Sequence, residues 1–236
     1  KNFSTHVFVT GMHMLKKYAY TFGELIKDRI KNIYKFNNLL DSKDQTKIAQ
    51  RTIVGFSAYL KKIKPDLVII HGDRVDALAC AMTASILNYK LAHIEGGDVT
   101  GNYDEIIRHA ITKFSHVHFV SNLIAKKRLL RLGEFKKNIF KIGSTNIDTI
   151  INKKLPTYKE VQKKYNINFE DFGICIFHPD EIKKEKQINK AKIIEKFFKN
   201  YKNNLVVIYP NNDPGGDEII NSYKKNKKKN FNFNEV

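Results

Sequence analysis

The stretch PDLVIIHGDR, residues 65–74, decides the fold of this chain together with LAHIEGGDVT, residues 91–100. Each stretch contains a short apolar run that predicts a strand of a parallel sheet, and we expect Leu67–Ile70 to be buried on both faces. Between them, the alanine-rich segment Leu78–Leu87 predicts a helix packed against the sheet. Because both runs end in charged residues, polar groups are expected at the carboxyl edge of the sheet, where ligands bind in open α/β folds.

The rest of the chain continues this alternation of helices and strands. Asp44–Lys64 has the apolar spacing of an amphipathic helix, which Pro65 ends. Asn102–Phe114 predicts a helix that buries Tyr103, Ile106, Ile107, Ala110 and Phe114. Further strands are predicted at His6–Thr10, Val117–Val120, Ile139–Ile142, Phe172–Phe177 and Leu205–Tyr209. Strands and helices that alternate with short turns are typical of the α/β class with doubly wound parallel sheets.

A change of composition at Lys153–Tyr158 predicts a linker between two domains. Residues 1–152 would form one Rossmann-like domain, and residues 153–236 a second, incomplete domain with two strands. The cluster Lys224–Lys229 lies among many asparagines, and this composition predicts a disordered tail.

The formal net charge of +18 is large for 236 residues. Such a charge favours nucleic acid or an acidic membrane surface as a partner. However, the lysines are spread along predicted helices and no nucleic-acid motif is present, so we expect neither partner. No run reaches the roughly 18 apolar residues of a membrane span, and no signal peptide is visible, which predicts a cytoplasmic protein. Cys80 and Cys175 sit in apolar segments and are expected to be buried, reduced thiols.

Charged and imidazole side chains follow several of the predicted strands or begin the helices after them. Carboxylates near histidines suit acid/base catalysis, and arginines suit a phosphate or a developing oxyanion. No nucleophile elbow, Walker loop, dinucleotide fingerprint or metal-ligand cluster is present, so neither metal nor cofactor is expected. The residues alone therefore predict acid/base chemistry on an anionic, sugar-like ligand. The candidates are His13, Asp73, Arg74, Glu95, Asp98, Asp104, Arg108, His109 and His178.

Several motifs, taken in order, resemble those of the hydrolysing UDP-N-acetylglucosamine 2-epimerases, some of which act on diacetylated bacillosamine nucleotides. The non-hydrolysing enzymes have threonine in place of Arg74 and an Ala-Gly-Leu-Arg run in place of Gly96–Val99, so the resemblance favours the hydrolysing branch. The matching motifs are TGMH at 10–13, HGDRVDA at 71–77, HIEGGDVTG at 93–101, IRHA at 107–110, FHP at 177–179 and YPNNDPG at 209–215.

The resemblance implies a two-domain GT-B fold with a UDP- or GDP-linked sugar in the cleft and, as in most relatives, a homo-oligomer. It implies elimination of the nucleotide across C1–C2, followed by addition of water with inversion at C2. By motif position, Asp73, Glu95 and Asp104 are the acid/base carboxylates. We also count His178 as catalytic and expect it to gather with them around one cavity, because their strands all run in the same direction. The remaining positions bind substrate: His13, Arg108 and His109 at the sugar, and Arg74, Asn211 and His178 at the nucleotide.

The match is incomplete at both ends. A first strand with a Gly-Thr-Arg-Ala-Glu turn, and a later Gly-Asn-Ser-Ser turn that holds phosphates, are absent from this sequence, and Gly216 replaces a usual serine. We therefore expect an internal fragment that is inactive alone. His6–Thr10 should lie beside a gap in the sheet or close onto Leu67–Ile70.

Two alternative functions remain open. A GT-B glycosyltransferase would share the fold but transfer its sugar to an acceptor. A basic nucleic-acid-binding module without catalysis would explain the net charge of +18.

Overall fold

The structure, a computed structural model, describes residues 3–16, 20–39, 44–179, 184–210, 215–226 and 228–234. The chain divides into two compact units, Lys1–Met14 with Thr21–Lys153 and Leu15–Tyr20 with Lys154–Val236. Every strand pairing in both units is parallel, and helices connect the strands of each sheet. The predicted α/β class with Rossmann-like parallel sheets is therefore confirmed.

The first unit contains a four-stranded sheet in the order β3-β4-β5-β6 and a separate two-stranded sheet, β1-β2. Its strands are β1 His6–Val9, β2 Asn32–Lys35, β3 Val68–His71, β4 Leu91–Ile94, β5 Val117–Val120 and β6 Ile139–Lys141. Its α-helices are α1 Gly23–Lys27, α2 Gln45–Ile63, α3 Val75–Ile86, α4 Tyr103–Phe114, α5 Leu123–Arg131 and α6 Thr145–Asn152. Short 3₁₀ helices span Gly11–Met14 and Lys136–Asn138.

Local signals at both ends explain helix α2. The Asp44 side chain accepts hydrogen bonds from the backbone N–H groups of Thr46 and Lys47, as an N-cap does. Lys64 adopts the left-handed conformation that commonly ends a helix. The buried positions follow the predicted helical spacing and are Ile48, Thr52, Gly55, Phe56, Tyr59 and Leu60.

Aromatic rings attach the two-stranded sheet to α2. The Phe8 ring lies 4.9 Å from that of Phe56 and 5.6 Å from that of Tyr59, measured between centroids. In the described residues β1 pairs with β2, and no ladder joins β1 to β3. Of the two predicted alternatives, closure of His6–Thr10 onto Leu67–Ile70 is therefore wrong, since the two strands belong to separate sheets. A gap beside His6–Thr10 stays a prediction.

The burial of β3 differs from the prediction. Val68 and Ile70 are buried, but Leu67 is 43% and Ile69 is 56% exposed. Val68 and Ile70 share one apolar cluster with residues of α2 and α3. The helices thus cover one face of β3, and the expectation of burial on both faces is wrong.

The buried side of α4 also differs from the prediction. Tyr103 and Ile106 are 44% and 68% exposed, whereas Arg108 and Thr112 are buried with Ile107 and Ile111. The helix is therefore rotated so that a guanidinium faces inward, which an apolar pattern alone does not reveal.

The second unit has one parallel sheet in the order β7-β8-β9. Its elements are α7 Tyr158–Lys164, β7 Gly173–Ile176, α8 Lys184–Asn200, β8 Leu205–Ile208, α9 Gly216–Lys225 and β9 Phe231–Asn234. The predictions of two strands and a disordered tail are wrong. Lys228 Nζ donates to the carbonyl oxygens of Phe198 and Lys199, at 2.6 and 3.0 Å, near the end of α8. This lysine ties the turn before β9 to the helix.

Two smaller expectations concern membranes and thiols. No helix in the described ranges is both long and apolar enough to cross a bilayer. Both cysteines are free thiols, with Cys80 buried and Cys175 half-buried.

Helix α5 packs directly on the loop after β4. Gly97 has φ +92°, and a Cβ there would lie 2.8 Å from the carbonyl oxygen of Ala125 and 2.5 Å from Leu129 Cδ1. Gly133 has a similar φ of +88°, with nothing within 4 Å of such a Cβ.

We expect Gly97→Ala to destabilise the chain more than Gly133→Ala. Both substitutions place alanine in the left-handed region at a cost of about 1–2 kcal/mol, and only the first adds overpacking, about 1–3 kcal/mol. Urea unfolding of the two variants measures the difference. Equal free energies of unfolding for the two variants would show that α5 does not pack tightly against the loop at Gly97.

Candidate functional site

The site forms at the carboxyl edge of the four-stranded sheet. In the parallel pairing of β3 with β4, His71 lies opposite Ile94. The Gly72 N–H continues the ladder by donating to the Ile94 carbonyl at 3.3 Å. Asp73 and Glu95, which follow these strand ends, therefore leave the sheet at the same edge.

Arg108 connects the ends of β3 and β4 to helix α4. Its side chain is only 8% exposed, and its Nη2 donates to the Asp73 carboxylate. Its Nη1 donates to the Asp98 carbonyl oxygen at 2.8 Å. Because a buried charge is costly unless it is paired, these two contacts orient both loops relative to α4.

Glu95 has an unusual backbone conformation and a histidine partner. Its φ of +66° lies in the left-handed region, which is uncommon for residues other than glycine and is concentrated at functional sites. His71 Nε2 lies 2.9 Å from Glu95 Oε2, and the Thr145 hydroxyl donates to Oε1 at 3.4 Å. Sequence reasoning did not include His71 or Thr145; the position of His71 at a strand end was the available signal.

Helix α5 and the two residues that precede it hold the loop after Glu95 in place. Arg128 Nη1 donates to the Gly97 carbonyl at 2.6 Å. The Asp98 carboxylate accepts hydrogen bonds from Ser121 Oγ at 3.3 Å and Asn122 Nδ2 at 3.4 Å. Asp98, a candidate from the sequence, thus stabilises the loop.

The first half of α4 carries two more candidates. Asp104 Oδ2 accepts a hydrogen bond from Asn102 Nδ2 at 3.1 Å. His109 Nε2 lies 3.9 Å from Glu105 Oε1, and its buried Nδ1 has no hydrogen-bond partner among the described residues.

His13 and Arg74 lie near a common carboxylate, that of Asp76. Arg74 Nε is 3.8 Å from Asp76 Oδ1, and the backbone of Gly11 approaches Asp76 so closely that a Cβ would lie 2.7 Å from Oδ2. The His13 ring contacts the Thr21 hydroxyl at 2.6 Å. Desolvation lowers the pKa of His13, while the charge of Asp76 acts in the opposite direction.

The last two candidates belong to the second unit or to undescribed residues. His178 is exposed in the loop after β7, and Asn211 lies outside the described residues. Within the first unit, the structure brings Asp73, Glu95 and Arg108 together at one sheet edge. Grouping of His178 with them stays a prediction.

Comparison with known protein families shows where this sequence belongs. Residues 1–235 match the family described as UDP-N-acetylglucosamine 2-epimerase. The chain belongs to this family. The resemblance drawn from the motifs is therefore confirmed at the level of the family.

Individual relatives give the same result. The chain is 37% identical to the UDP-N-acetylglucosamine 2-epimerase of Neisseria meningitidis over 93% of its own length and 58% of that protein. It is 33% identical to the hydrolysing GDP/UDP-N,N'-diacetylbacillosamine 2-epimerase of Campylobacter jejuni, over 97% of its own length and 62% of that protein. The chain therefore spans about three fifths of the length of these relatives.

Solved structures of the family share the fold. The structure of the N. meningitidis UDP-GlcNAc 2-epimerase bound to UDP-GlcNAc matches with a TM-score of 0.72 and 20% identity, covering 98% of this chain and 64% of that one. A structure from Listeria monocytogenes matches with a TM-score of 0.70 and 19% identity, covering 98% and 60%. The predicted GT-B type of fold is thereby confirmed.

A buried histidine lies beneath the site. His93 of β4 is fully buried, and its Nε2 is 3.0 Å from the Gly72 carbonyl oxygen. Burial lowers its pKa from 6.5 to about 4, although the Gly72 hydrogen bond opposes this shift. Native His93 is therefore neutral near pH 7, whereas the same histidine in the unfolded chain takes up a proton below about pH 6.5.

This difference predicts an acid-sensitive contribution to stability. The contribution is complete above about pH 6.5 and is lost as the pH falls toward 4, by about 3 kcal/mol. We expect the free energy of unfolding of the native chain to fall by about this much more than that of His93→Gln over the same range. Urea unfolding at a series of pH values measures both, and parallel curves would contradict a neutral buried His93.

Proposed function

We propose that the protein carrying this chain is a hydrolysing 2-epimerase of nucleotide-linked acetamido sugars. Its substrate would be UDP-N-acetylglucosamine or a diacetylated bacillosamine nucleotide, and its products a free manno-configured sugar and a nucleoside diphosphate. The observation that carries the proposal is the pair Asp73 and Glu95 at adjacent strand ends, each in contact with a basic side chain.

In the first step, one carboxylate removes the C2 proton of the sugar while the C1–O bond to the nucleotide breaks. The electron pair of the C2–H bond forms the C1=C2 double bond of a glycal, and the nucleotide leaves with the electrons of the C1–O bond. The C2 hydrogen is only weakly acidic, so the step requires a base positioned within hydrogen-bond reach and a charged group near the departing phosphates. Asp73, Glu95 and Asp104 are the candidate bases.

In the second step, water adds to the glycal. Its oxygen bonds to C1 and gives up one proton to a carboxylate, and C2 receives a proton from a protonated carboxyl group on the face opposite to the one that lost it, which inverts the configuration. Two carboxylates with separate surroundings suit this division, because one can accept the first proton while the other donates the second. His71, 2.9 Å from Glu95 Oε2, is placed to exchange a proton with that carboxylate.

Other side chains orient a catalytic carboxylate or bind the substrate in this proposal. Arg108 orients Asp73, and by motif position His109 would bind the sugar or its acetamido group. Arg74 at the start of α3 would meet the nucleotide, where a helix N-terminus also favours a phosphate. By motif position His178 and Asn211 would contact the nucleotide as well.

The hydrolysing branch is favoured over nucleotide-retaining epimerisation. The resemblance supports this choice because Arg74 and the segment Gly96–Val99 differ from the threonine and the Ala-Gly-Leu-Arg run of the non-hydrolysing enzymes. Relatives named as hydrolysing diacetylbacillosamine nucleotide 2-epimerases from C. jejuni and Legionella pneumophila are 33% and 32% identical to this chain.

Proton NMR of the complete protein in deuterated water tests the reaction with UDP-N-acetylglucosamine and with UDP- and GDP-linked diacetylbacillosamine. We expect one of these sugars to appear free, with deuterium at C2 and with nucleoside diphosphate released. Deuterium at C2 of a sugar still linked to its nucleotide would instead identify a non-hydrolysing epimerase. Release of nucleotide without deuterium at C2 would contradict the elimination.

Single substitutions test the two carboxylates. Asp73→Asn and Glu95→Gln should each lower kcat by about 10²–10⁴-fold, the usual contribution of general acid/base catalysis. Asp66→Asn provides the control, because Asp66 is an exposed residue just before the opposite end of β3. Loss of activity in the control to the same extent, or full activity in both carboxylate variants, would place the chemistry elsewhere.

A further inference from the structure

We propose that His93, together with Thr112, is a positioning residue that sets the geometry of the Asp73, Glu95 and Arg108 segments. The proposal rests on the proposed function. It assigns a role to two side chains that lie beneath the reacting groups and have no access to substrate, since both are fully buried.

The hydrogen bonds of His93 define its tautomer. Nε2 lies 3.0 Å from the Gly72 carbonyl oxygen, which can only accept, so Nε2 carries the proton. Neutral imidazole then has an acceptor at Nδ1, and the Thr112 hydroxyl, 3.1 Å away, donates to it. The same hydroxyl lies 3.1 Å from the Arg108 carbonyl oxygen one turn earlier, so its proton is shared between ring and helix.

Through these contacts His93 reaches each segment that carries a reacting group. Gly72 precedes Asp73, and Thr112 is one helical turn after Arg108. Gly96 follows Glu95, and a Cβ at Gly96 would lie 2.9 Å from His93 Nδ1 and 2.8 Å from Thr112 Oγ1. One imidazole therefore fixes the distance between the β3 end, the β4 loop and α4.

A second buried histidine, His118, provides a comparison for His93, because its hydrogen-bond partner lies outside the segments of Asp73 and Glu95. His118 of β5 pairs in register with His93 and is 1% exposed. Its Nε2 contacts Glu134 Oε2 at 3.1 Å, and Glu134 Oε1 binds Lys113 Nζ at 2.6 Å. These partners lie in the loop after α5 and in the last turn of α4, away from the segments of Asp73 and Glu95 and more than one turn beyond Arg108. His118 is thus a matched control on the same face of the same sheet.

Steady-state kinetics of four variants of the enzyme test the role in positioning. We expect His93→Leu to lower kcat by about 10²-fold, as small displacements of reacting groups do, with KM changed by less than about threefold. Thr112→Val should lower kcat about tenfold, and His93→Gln should recover part of the loss because its amide can donate to Gly72. His118→Leu should destabilise the fold to a similar extent while kcat per folded enzyme stays within about twofold.

The proposal is overturned if His93→Leu and His118→Leu have equal kcat per folded enzyme, because His93 would then be a core residue only. It is also overturned if His93→Gln recovers nothing while Thr112→Val retains full activity.

NMR of the folded chain separates this proposal from the proposed function. Nitrogen-15 spectra should show His93 as the neutral Nε2–H tautomer between about pH 5 and 8, and Arg108 Nη protons should exchange about tenfold faster in His93→Leu than in His118→Leu. A wild-type enzyme without turnover would reject the proposed function alone. The opposite tautomer, or equal exchange in the two variants, would reject the role of His93 whatever the activity.

Discussion

The site depends on the contacts that the buried Arg108 guanidinium makes with Asp73 and Asp98. A charge that is almost wholly removed from water needs partners, and the Asp73 carboxylate and the Asp98 carbonyl supply them. Because these two partners follow different strands, one side chain from α4 fixes the ends of β3 and β4 relative to each other. In this orientation of α4, Arg108 is buried and Ile106 faces outward.

Much of the fold was predictable because its signals are local. Helix α2 carries an N-cap at Asp44, apolar residues at helical spacing and a proline after its end, and each points to the same element. Helix α9 and strand β9 were missed because their lysines and asparagines resemble a disordered tail. Only the packed structure shows that Ile219 and Tyr223 belong to a core.

The candidate site was predictable where a charged residue directly follows the end of a strand, as Asp73 and Glu95 do. It was not predictable where a side chain acts from inside an element. A histidine in a strand, such as His93, has no local feature that separates support of a site from packing, and its role depends on which loops lie above it. The rotation of α4 was missed for a related reason, since a charged residue such as Arg108 is usually assigned to the surface.

The most direct test of this account is a structure of the complete protein with the nucleoside diphosphate and the glycal bound. The account predicts that C2 of the glycal lies within about 3–3.5 Å of a carboxylate oxygen of Asp73, Glu95 or Asp104. It also predicts that the Arg108 contact to Asp73 persists in the complex. A glycal bound away from the carboxyl edge of β3 and β4, with none of these carboxylates near C2, would contradict it.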